Sequence, residues 1–311
     1  MVTRIVMTGG LGFVGQNLAH HLRAKPEAYR LTALDWFDAA QDDEKALFDE
    51  IYQGCFTHPA ALELIAQADV VVHLAARTTV QESIDNPMAT FTENVEKTQT
   101  LLEHLRIHAP ETKVIFASTG GAIIGDYDGA IDESVPPCPL SPYGASKLAV
   151  EGLLSAYRGS FGLNAASLRF SNVYGPNSRR KSSVVAAYCK MYLRDGVLKV
   201  NGDGQQTRDY IYVADIAEVI YRVIEKDAQG VFQLGTGHGT SILEIVEHFR
   251  DCVPEAAPEI MFAPALTGEV RHNKANIDHV QQTLDFTPQW DLQSGIAATL
   301  DWFRAELKAR D

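Results

Sequence analysis

The segment SPYGASK at residues 141–147 carries a tyrosine and a lysine whose spacing suits acid–base chemistry. A serine N-cap followed by proline is typical of a helix start, and residues four apart then share one helix face. A phenol has an ordinary pKa of about 10 and is a poor base near neutral pH, unless positive charge favours the phenolate. The ammonium of Lys147 would supply such charge to Tyr143. The alternative is a core tyrosine and a surface lysine, because this spacing often arises by chance.

A glycine-rich turn follows the first predicted strand. Residues 4–7 are β-prone, and the segment TGGLGFVG from Thr8 leads into an apolar pattern of helical period. Glycines let the backbone turn tightly, approach a pyrophosphate and pack helix on strand, while free amides at the helix N-terminus hold the phosphates. The predicted contacts to a dinucleotide are Gly9, Gly12, Phe13, Val14 and Gly15.

An acidic residue ends the second predicted strand. Residues 29–34 (YRLTAL) run directly into Asp35, twenty residues after Gly15. A carboxylate there accepts hydrogen bonds from the adenosine ribose hydroxyls and repels a 2'-phosphate, which favours NAD over NADP. The alternative, a solvated acid at a strand end, is weakened by the glycine turn before it.

Two further predicted strands bring polar and small residues to the same edge of a sheet. Residues 69–73 read as a buried parallel strand, and the small residues that follow allow close approach of a cofactor. Residues 114–117 form the next strand and end in Ser118 and Thr119, at the edge where ligands bind in open α/β sheets. Thr119 is therefore expected beside Tyr143 and Lys147, although a strand-end threonine is more often a simple turn residue. The predicted cofactor contacts after the first of these strands are Leu74, Ala75 and Ala76.

The composition bounds the class of protein. The chain has 311 residues, 46% hydrophobic and 22% charged, with a net charge of -13, which argues against nucleic acid or an anionic membrane as the main partner. Its four cysteines are scattered without C-x-x-C spacing, which fits reduced thiols and no metal site. No signal peptide is evident, and no apolar run reaches the ~18 residues that span a bilayer. We expect a cytoplasmic protein of about two domains.

Together these motifs resemble the extended short-chain dehydrogenase/reductase family, and within it the NAD-dependent nucleotide-sugar epimerases of the UDP-glucose 4-epimerase type. The resemblance covers essentially the whole chain and is specific for fold and cofactor, less so for the sugar. The motifs are TGGLGFVG from Thr8, Asp35, HLAA from His73, Asn94-Val95, FASTGG from Phe116, SPYGASK from Ser141, LRFSNVYGP from Leu168, RDYIYVADIA from Arg208 and QLGTG from Gln233.

The resemblance implies a catalytic group. Tyr143 would be the base on the sugar 4-hydroxyl, and Lys147 would bind the ribose and lower the pKa of Tyr143. Thr119 would position the sugar oxygen, with Ser118 as the second candidate because this loop is one residue longer than in some members. The expected reaction is epimerisation by transient oxidation at C4, with tightly bound NAD and return of hydride to the opposite face.

The resemblance also implies ligand contacts outside this group. Asn94 and Phe170 match cofactor-binding positions. Asn172 and Arg208 match positions that contact the diphosphate of a nucleotide-diphosphate sugar, and Arg271 is close enough in sequence to replace a further family arginine. Arginine suits bidentate contact with phosphate, and a surface salt bridge is the alternative for Arg208.

Departures from the family pattern separate the candidate reactions. The Gly-Asp-hydrophobic segment that meets the adenine is replaced by Gly54-Cys55-Phe56, so packing of Phe56 on the adenine is the expected contact. Family 4,6-dehydratases place an Asp-Glu pair directly after the threonine, and the uronate decarboxylases a nearby Glu, whereas this chain has Gly120-Gly121. Both reactions stay as alternatives to epimerisation, and a non-catalytic NAD-binding regulator is the alternative from another class.

The expected fold class is α/β, a Rossmann-type doubly wound parallel sheet with a smaller mixed α/β substrate-binding domain. We expect residues 1–172 and 208–236 to form the NAD-binding domain, and residues 173–207 and 237–311 to form a cap that binds the nucleotide sugar in the intervening cleft. The basic segment NSRRKSS at 177–183 would attract an anionic substrate, with a solvated loop as the alternative. The family further implies a homodimer built from helices around 90–108 and 143–159.

Overall fold

The computed structural model describes residues 2–36, 45–265 and 271–308. Its first half alternates strands and helices, as the sequence predicts. The elements are β1 (Thr3–Thr8), α1 (Phe13–Arg23), β2 (Tyr29–Asp35), β3 (Glu50–Gln53), α2 (Pro59–Ala66), β4 (Val70–His73), α3 (Val80–Asp85), α4 (Pro87–Phe91), α5 (Lys97–His108), β5 (Lys113–Thr119), α6 (Gly121–Ile124), β6 (Ala130–Ile131) and α7 (Pro142–Phe161), with a π-helical turn at Thr92–Glu96 between α4 and α5.

The second half is less regular and contains several two-stranded pairs. Its elements are β7 (Ala165–Phe170), β8 (Asn172–Tyr174), α8 (Val184–Asp195), β9 (Val197–Asn201), β10 (Thr207–Arg208), β11 (Tyr210–Tyr212), α9 (Val213–Glu225), β12 (Gly230–Leu234), β13 (Thr240–Ser241), α10 (Ile242–Asp251), β14 (Glu259–Ala263), β15 (Lys274–Ala275), α11 (Asp278–Leu284) and α12 (Leu292–Lys308), with a 3-10 turn at Pro254–Ala256.

Seven parallel strands form one central sheet in the order β12-β7-β5-β4-β1-β2-β3. The chain starts in the middle at β1, runs outward through β2 and β3, and then returns to β4 on the other side. The strand order therefore reverses between β1 and β4, and ligands of open α/β sheets bind outside the carboxyl ends at this switch point. The predicted doubly wound fold is confirmed. Residues 230–234 join the sheet as its edge strand β12.

The sheet is buried on both faces because successive strand residues point to opposite sides. Ile5 and Met7 of β1 pack into one apolar cluster with α1, α9 and α11, whereas Val6 packs into a second cluster with α2, α5 and α7. Helix α7 thus lies flat against β5 and β7. That placement decides where the residues of the SPYGASK segment stand.

A third apolar cluster forms the core of the cap. It joins α8, α10 and α12 through aromatic residues such as Tyr188, Phe249 and Phe303. Strands β9 and β14 pair in parallel beside these helices. The domain boundaries proposed from the sequence stay a prediction, whereas the separate cap core is observed.

The described residues contain neither a membrane-spanning helix nor a metal-binding group of side chains. None of the helices in these parts of the chain combines the length and the apolar character that crossing a bilayer requires. Within the same residues, no group of three His, Cys, Asp or Glu side chains is placed to hold a metal ion.

Candidate active site

The turn between β1 and α1 is built from glycines whose backbone leaves no room for side chains. Gly9 has φ 70°, and a Cβ there would lie 3.0 Å from the backbone nitrogen of Ala75. A Cβ on Gly15 would lie 2.3 Å from the carbonyl oxygen of Gly10, so α1 packs directly on the turn. Gly12 is the N-cap of α1 and gives its first amides no side-chain partner. Such an uncapped helix N-terminus fits a pyrophosphate.

Asp35 stands at the carboxyl end of β2, beside this turn. Its side chain is buried, and Oδ2 accepts a hydrogen bond from the backbone nitrogen of Leu11 at 3.1 Å. The carboxylate is thus fixed by the glycine turn itself and faces the same cavity as Gly12. This position fits the ribose hydroxyls of an adenosine.

A cavity of about 530 Å³ lies over the carboxyl ends of β1, β4 and β5 and reaches the loop before α8. Most of the residues predicted from the sequence line it. They are Gly9, Gly12, Phe13, Val14, Asp35, Leu74, Ala75, Ala76, Ser118, Thr119, Tyr143, Lys147, Phe170 and Asn172.

Helix α7 begins as predicted and carries its tyrosine and lysine into this cavity. Ser141 is the N-cap, and its Oγ accepts a hydrogen bond from the backbone nitrogen of Gly144 at 3.1 Å. The Nζ of Lys147 donates to the carbonyl oxygen of Ala117 at 2.7 Å and lies 4.6 Å from the centre of the Phe116 ring. The alternative of a surface lysine is therefore excluded, because Lys147 is 3% exposed.

The phenol of Tyr143 is held in its neutral form. Burial raises the pKa of Tyr143 to about 12, and a hydrogen bond with the side chain of Thr119 opposes that effect. Burial and the positive charge of Lys181 lower the pKa of Lys147 to about 7, against the opposing charge of Glu151. Burial dominates the pKa of Tyr143 in this chain. The lowering effect expected from Lys147 stays a prediction.

Ser118 and Thr119 face different partners although they are neighbours on β5. Thr119 is hydrogen-bonded to Tyr143, whereas the Ser118 hydroxyl donates to Oε1 of Glu151 at 2.5 Å. Glu151 lies two helical turns beyond Tyr143 on α7 and forms a buried ion pair with Arg169 at 2.8 Å. The structure thus brings Thr119, and not the hydroxyl of Ser118, to the tyrosine.

The sequence matches a known family along most of its length. A model of the NAD dependent epimerase/dehydratase family matches residues 5–235. The UDP-glucose 4-epimerase of Mycolicibacterium smegmatis is 31% identical over 312 residues, which cover 97% of this chain and 98% of that protein. The chain belongs to the NAD-dependent epimerase/dehydratase family. This agrees with the predicted extended short-chain dehydrogenase/reductase fold, and NAD is the cofactor of the family.

Solved structures of this epimerase/dehydratase family include different reactions on one fold. The UDP-glucose 4-epimerase of Thermotoga maritima, crystallised with UDP-glucose, is similar with a TM-score of 0.89 and 28% identity, covering 98% of this chain and 100% of that one. An NAD-dependent NDP-hexosamine 5,6-dehydratase involved in tunicamycin biosynthesis has a TM-score of 0.88 and 26% identity, covering 97% and 98%. The fold alone therefore does not decide the reaction, and the residues of the site must be compared.

Side chains added to the loop after Thr119 would meet two amide side chains. A Cβ on Gly120 would lie 2.4 Å from Nε2 of the buried Gln233, and a Cβ on Gly121 would lie 2.4 Å from Nδ2 of Asn273. An acidic pair at these two positions would have to displace both amide side chains.

Asn94 is close to the cofactor cavity but does not line it. Its Oδ1 accepts a hydrogen bond from the backbone nitrogen of Arg77 at 2.8 Å, and its Nδ2 donates to the carbonyl oxygen of Arg77 at 3.0 Å and to Oγ of Ser146 at 2.9 Å. It lies in the π-helical turn, a local irregularity often found at functional sites. Asn94 therefore ties the loop after β4 to α7, and this loop, rather than Asn94, faces the cavity.

His73 is a structural residue, as its apolar surroundings predict. Its two ring nitrogens lie 2.7 Å from the hydroxyl of Thr8 and 2.8 Å from that of Thr98. Burial, and to a smaller extent the charge on Lys147, lower the pKa of His73 to about 3. The imidazole is neutral at pH 7 and joins β1, β4 and α5 through hydrogen bonds.

The two arginines predicted to bind a diphosphate do not line the cavity. Arg208 donates to the backbone carbonyl of Thr207 at 2.8 Å, and Arg271 forms an exposed ion pair with Asp203 at 2.8 Å. The loop before α8 contributes three basic residues to the lining, which are Arg179, Arg180 and Lys181. Sequence reasoning ranked this basic run below the arginine motif. Its clustering within an acidic protein is the signal that marks it.

The expected adenine end of the cavity contains Phe56 and Cys55, which the sequence marked, and two residues that it did not, Trp36 and Lys97. Trp36, directly after Asp35, lines the cavity together with Phe56, Cys55 and the ion-paired Lys97. Phe56 is buried and packs edge-on against His73 at 5.1 Å between ring centres. Packing of Phe56 on an adenine stays a prediction.

Proposed function

We propose that this protein is a nucleotide-sugar 4-epimerase. The observation that carries the proposal is the arrangement at the carboxyl end of β5. Thr119 is hydrogen-bonded to Tyr143, Lys147 lies one helical turn further along α7, and Gly120-Gly121 stand where a dehydratase has an acidic pair. A single tyrosine with a hydroxyl partner suffices for oxidising an alcohol and reversing that step.

Tyr143 is the residue that we assign to proton transfer. Bound NAD supplies a hydride acceptor for C4 of the sugar and then a hydride donor. The phenolate of Tyr143 accepts the proton of the 4-hydroxyl as the hydride leaves C4, and the phenol returns a proton to the same oxygen when hydride is delivered to the opposite face. Thr119 would hold that oxygen at the tyrosine.

Lys147 has two roles in this proposal. Its ammonium lies on the same helix face as Tyr143, so its charge favours the phenolate during proton transfer. Its remaining hydrogens can contact ribose hydroxyls while one of them stays on the carbonyl of Ala117. Because burial raises the pKa of Tyr143 to about 12, the positive charge near the phenol is needed at the moment of reaction.

The glycine turn and the strand ends fit NAD. The uncapped amides of α1 would bind the pyrophosphate, Asp35 the adenosine ribose, and the segment 74–76 the nicotinamide end. We propose that the segment Arg179 to Lys181 attracts the diphosphate of the sugar nucleotide, together with Asn172. Arg208 and Arg271 stay candidates for that contact.

Product analysis tests the proposal. Purified protein is incubated with UDP-glucose, UDP-N-acetylglucosamine and the corresponding uronic acids, and products are identified by NMR and mass spectrometry. We expect inversion at C4 with unchanged mass for at least one of these sugars. Loss of water would favour a 4,6-dehydratase, loss of carbon dioxide a uronate decarboxylase, and the absence of any turnover by NAD-loaded protein would favour a non-catalytic NAD-binding regulator.

We further propose a homodimer in the cytoplasm. Apolar side chains on the helices around α7 are exposed in the single chain, among them Met88 at 72% and Phe91 at 45% on α4, and Phe161 at 53% at the end of α7. A second copy covering these side chains would remove apolar surface from water. Light scattering that gives twice the mass of 34.1 kDa is the expected result, and a monomer mass would contradict it.

A further inference from the structure

Residues 117–119 at the end of β5 each contact a side chain from a different turn of α7. The side chain of Thr119 is hydrogen-bonded to Tyr143, and the carbonyl of Ala117 accepts from Lys147. Between them, the hydroxyl of Ser118 donates to Glu151, the residue one turn beyond Lys147. Two of these contacts belong to the proposed chemistry. The third has no part in it so far.

The Glu151 carboxylate is fixed more firmly than either catalytic side chain. Arg169, the register partner of Ser118 on the adjacent strand β7, donates from Nη2 to Oε2 at 2.8 Å and from Nε to Oε1 at 3.1 Å. The side chains of Glu151 and Arg169 are each only 6% exposed. With Ser118 at 2.5 Å, both carboxylate oxygens have charge-assisted or hydroxyl partners.

We propose that Glu151 is a positioning residue of the active site, anchored by Ser118 and Arg169, which keeps the ammonium of Lys147 charged beneath Tyr143. Tyr143, Lys147 and Glu151 stand at successive i+4 positions, so the glutamate extends the catalytic face of α7 by one turn. The inference rests on the proposed function, because it gives Lys147 a charge that the proton transfer uses.

The charges around Lys147 explain why such a residue is needed. From α7 itself, Tyr143 is neutral; from β4, His73 is neutral; and from the loop before α8, Lys181 is positive. Arg169 on β7 is linked to this group through its ion pair with Glu151. Burial and Lys181 act against the charged form of Lys147, and Glu151 opposes them. Among the groups facing Lys147 in the described parts of the chain, Glu151 alone brings negative charge.

A purely structural ion pair would behave differently from this proposal. Breaking a buried pair from either side destabilises the fold, because each variant leaves one buried charge unpaired. The electrostatic effects on Lys147 have opposite signs, however. Loss of the carboxylate leaves Arg169 positive and favours neutral Lys147, whereas loss of the guanidinium leaves Glu151 negative and favours the ammonium.

The test compares Glu151→Gln with Arg169→Gln in the NAD-loaded protein. The readout is the pH titration of Lys147, followed by NMR of protein labelled with 13C at lysine Cε, with the signal identified by its loss in Lys147→Arg. We expect a midpoint lower by about one pH unit in Glu151→Gln, equal to a tenfold change in the ratio of the two forms, and a raised midpoint in Arg169→Gln. Shifts of the same sign, or unchanged midpoints, would overturn the proposal.

Two further variants keep the test decisive. Ser118→Ala removes one anchor but keeps the ion pair, so it should fold even if the other variants do not, and we expect a smaller shift in the direction of Glu151→Gln. If its Lys147 midpoint equals that of the unmodified protein, the proposal fails. Asp227→Asn is the matched control, because it breaks the ion pair of Lys113 at the opposite end of β5 and should leave Lys147 unchanged.

The titration tests the role of Glu151 and the enzyme assay tests the proposed function, and each can reject its proposal independently of the other. NMR of Lys147 needs no turnover, so opposite shifts without any epimerised sugar would uphold the role of Glu151 and reject the proposed function. The opposite outcome is turnover in Glu151→Gln, Arg169→Gln and Ser118→Ala with an unchanged alkaline limit of kcat and unshifted Lys147 midpoints. This result would uphold the proposed function and reject the role of Glu151. If both hold, the alkaline limit of kcat moves with the Lys147 midpoint while KM changes less.

Discussion

The two ends of the cavity are built in different ways. The NAD end is built around the backbone of the glycine turn: a glycine at φ 70°, an uncapped helix N-terminus and the Asp35 side chain that the turn holds. The end that we propose for the sugar is lined by side chains from separate elements, with Lys181 from the loop before α8, Asn172 from β8 and Trp302 from α12. A backbone site fixes one cofactor, whereas a side-chain site can change its substrate by single replacements. Such a division is consistent with the different sugar reactions found among solved structures of this fold.

The largest expected effect comes from the phenol where the two ends meet. Tyr143→Phe should lower kcat about 10³-fold, within the range for losing a general acid–base group, because no hydroxyl is left to exchange the proton. NAD content should stay unchanged, since the cradle is made of backbone. Tyr157→Phe is the matched control, because it removes a phenol of the same helix that is bonded to Glu103 at 3.0 Å. Steady-state kinetics with equal loss in both variants would contradict the assignment.

Gly9→Ala tests whether the NAD end depends on backbone geometry. The added Cβ meets the backbone of Ala75 at 3.0 Å in a residue of positive φ, and such strain costs about 1–3 kcal/mol. We expect a loss of bound NAD, measured by absorbance of the released nucleotide, with little change in the affinity for the sugar nucleotide. Gly159→Ala is the control, since nothing lies within 4 Å of a Cβ there. Full NAD content in Gly9→Ala would contradict the claim that NAD binding depends on the backbone geometry of the glycine turn.

Lys181→Met tests the sugar end. We expect KM for the sugar nucleotide to rise about tenfold, because a charged contact to phosphate or carboxylate is worth roughly 1.5–3 kcal/mol before screening by salt. NAD content should not change. Because the charge of Lys181 helps to lower the pKa of Lys147 to about 7, its removal raises that pKa, and the alkaline limit of kcat moves to higher pH. A lower alkaline limit would contradict this sign.

The smallest expected effect concerns the choice between NAD and NADP. Asp35→Asn keeps the size of the side chain and an acceptor oxygen for the Leu11 amide but removes the charge that repels a 2'-phosphate. We expect the preference for NAD over NADP to fall by about tenfold, or about 1.4 kcal/mol. Equilibrium binding of both nucleotides measures it. An unchanged ratio would show that Asp35 acts only on the turn.

Sequence patterns predicted the NAD end well because its requirements are local. A glycine at positive φ, a helix start with Ser141 as N-cap and an acid after a buried strand are properties of short segments, and each is found where expected. The doubly wound parallel sheet is the fold that the resemblance implied. The sequence could not say that Ser118 turns toward Glu151 while Thr119 turns toward Tyr143, because that depends on how α7 lies on β5 and β7.

The sugar end shows where sequence reasoning stops. The contact of Arg208 with a diphosphate stays a prediction, because its guanidinium donates to the backbone carbonyl of Thr207 and does not line the cavity. Lys181 lies in the basic segment 177–183 that the sequence marked as attracting an anionic substrate, and it lines the cavity. Its effect on the pKa of Lys147 could not be predicted from the sequence. The effect of burial on the pKa of Tyr143 could not be read from the sequence either, because burial is a property of the whole fold.

The most direct test of the account follows deuterium at C4. UDP-glucose, or whichever sugar nucleotide the protein turns over, is labelled with deuterium at C4 and incubated in ordinary water, and the C4 epimer is examined by NMR. If hydride is removed from C4 and returned to C4 within one closed cavity, the epimer retains the label and its mass is unchanged. Loss of deuterium to water, or a product lighter by one water, would contradict epimerisation by reversible oxidation at Tyr143.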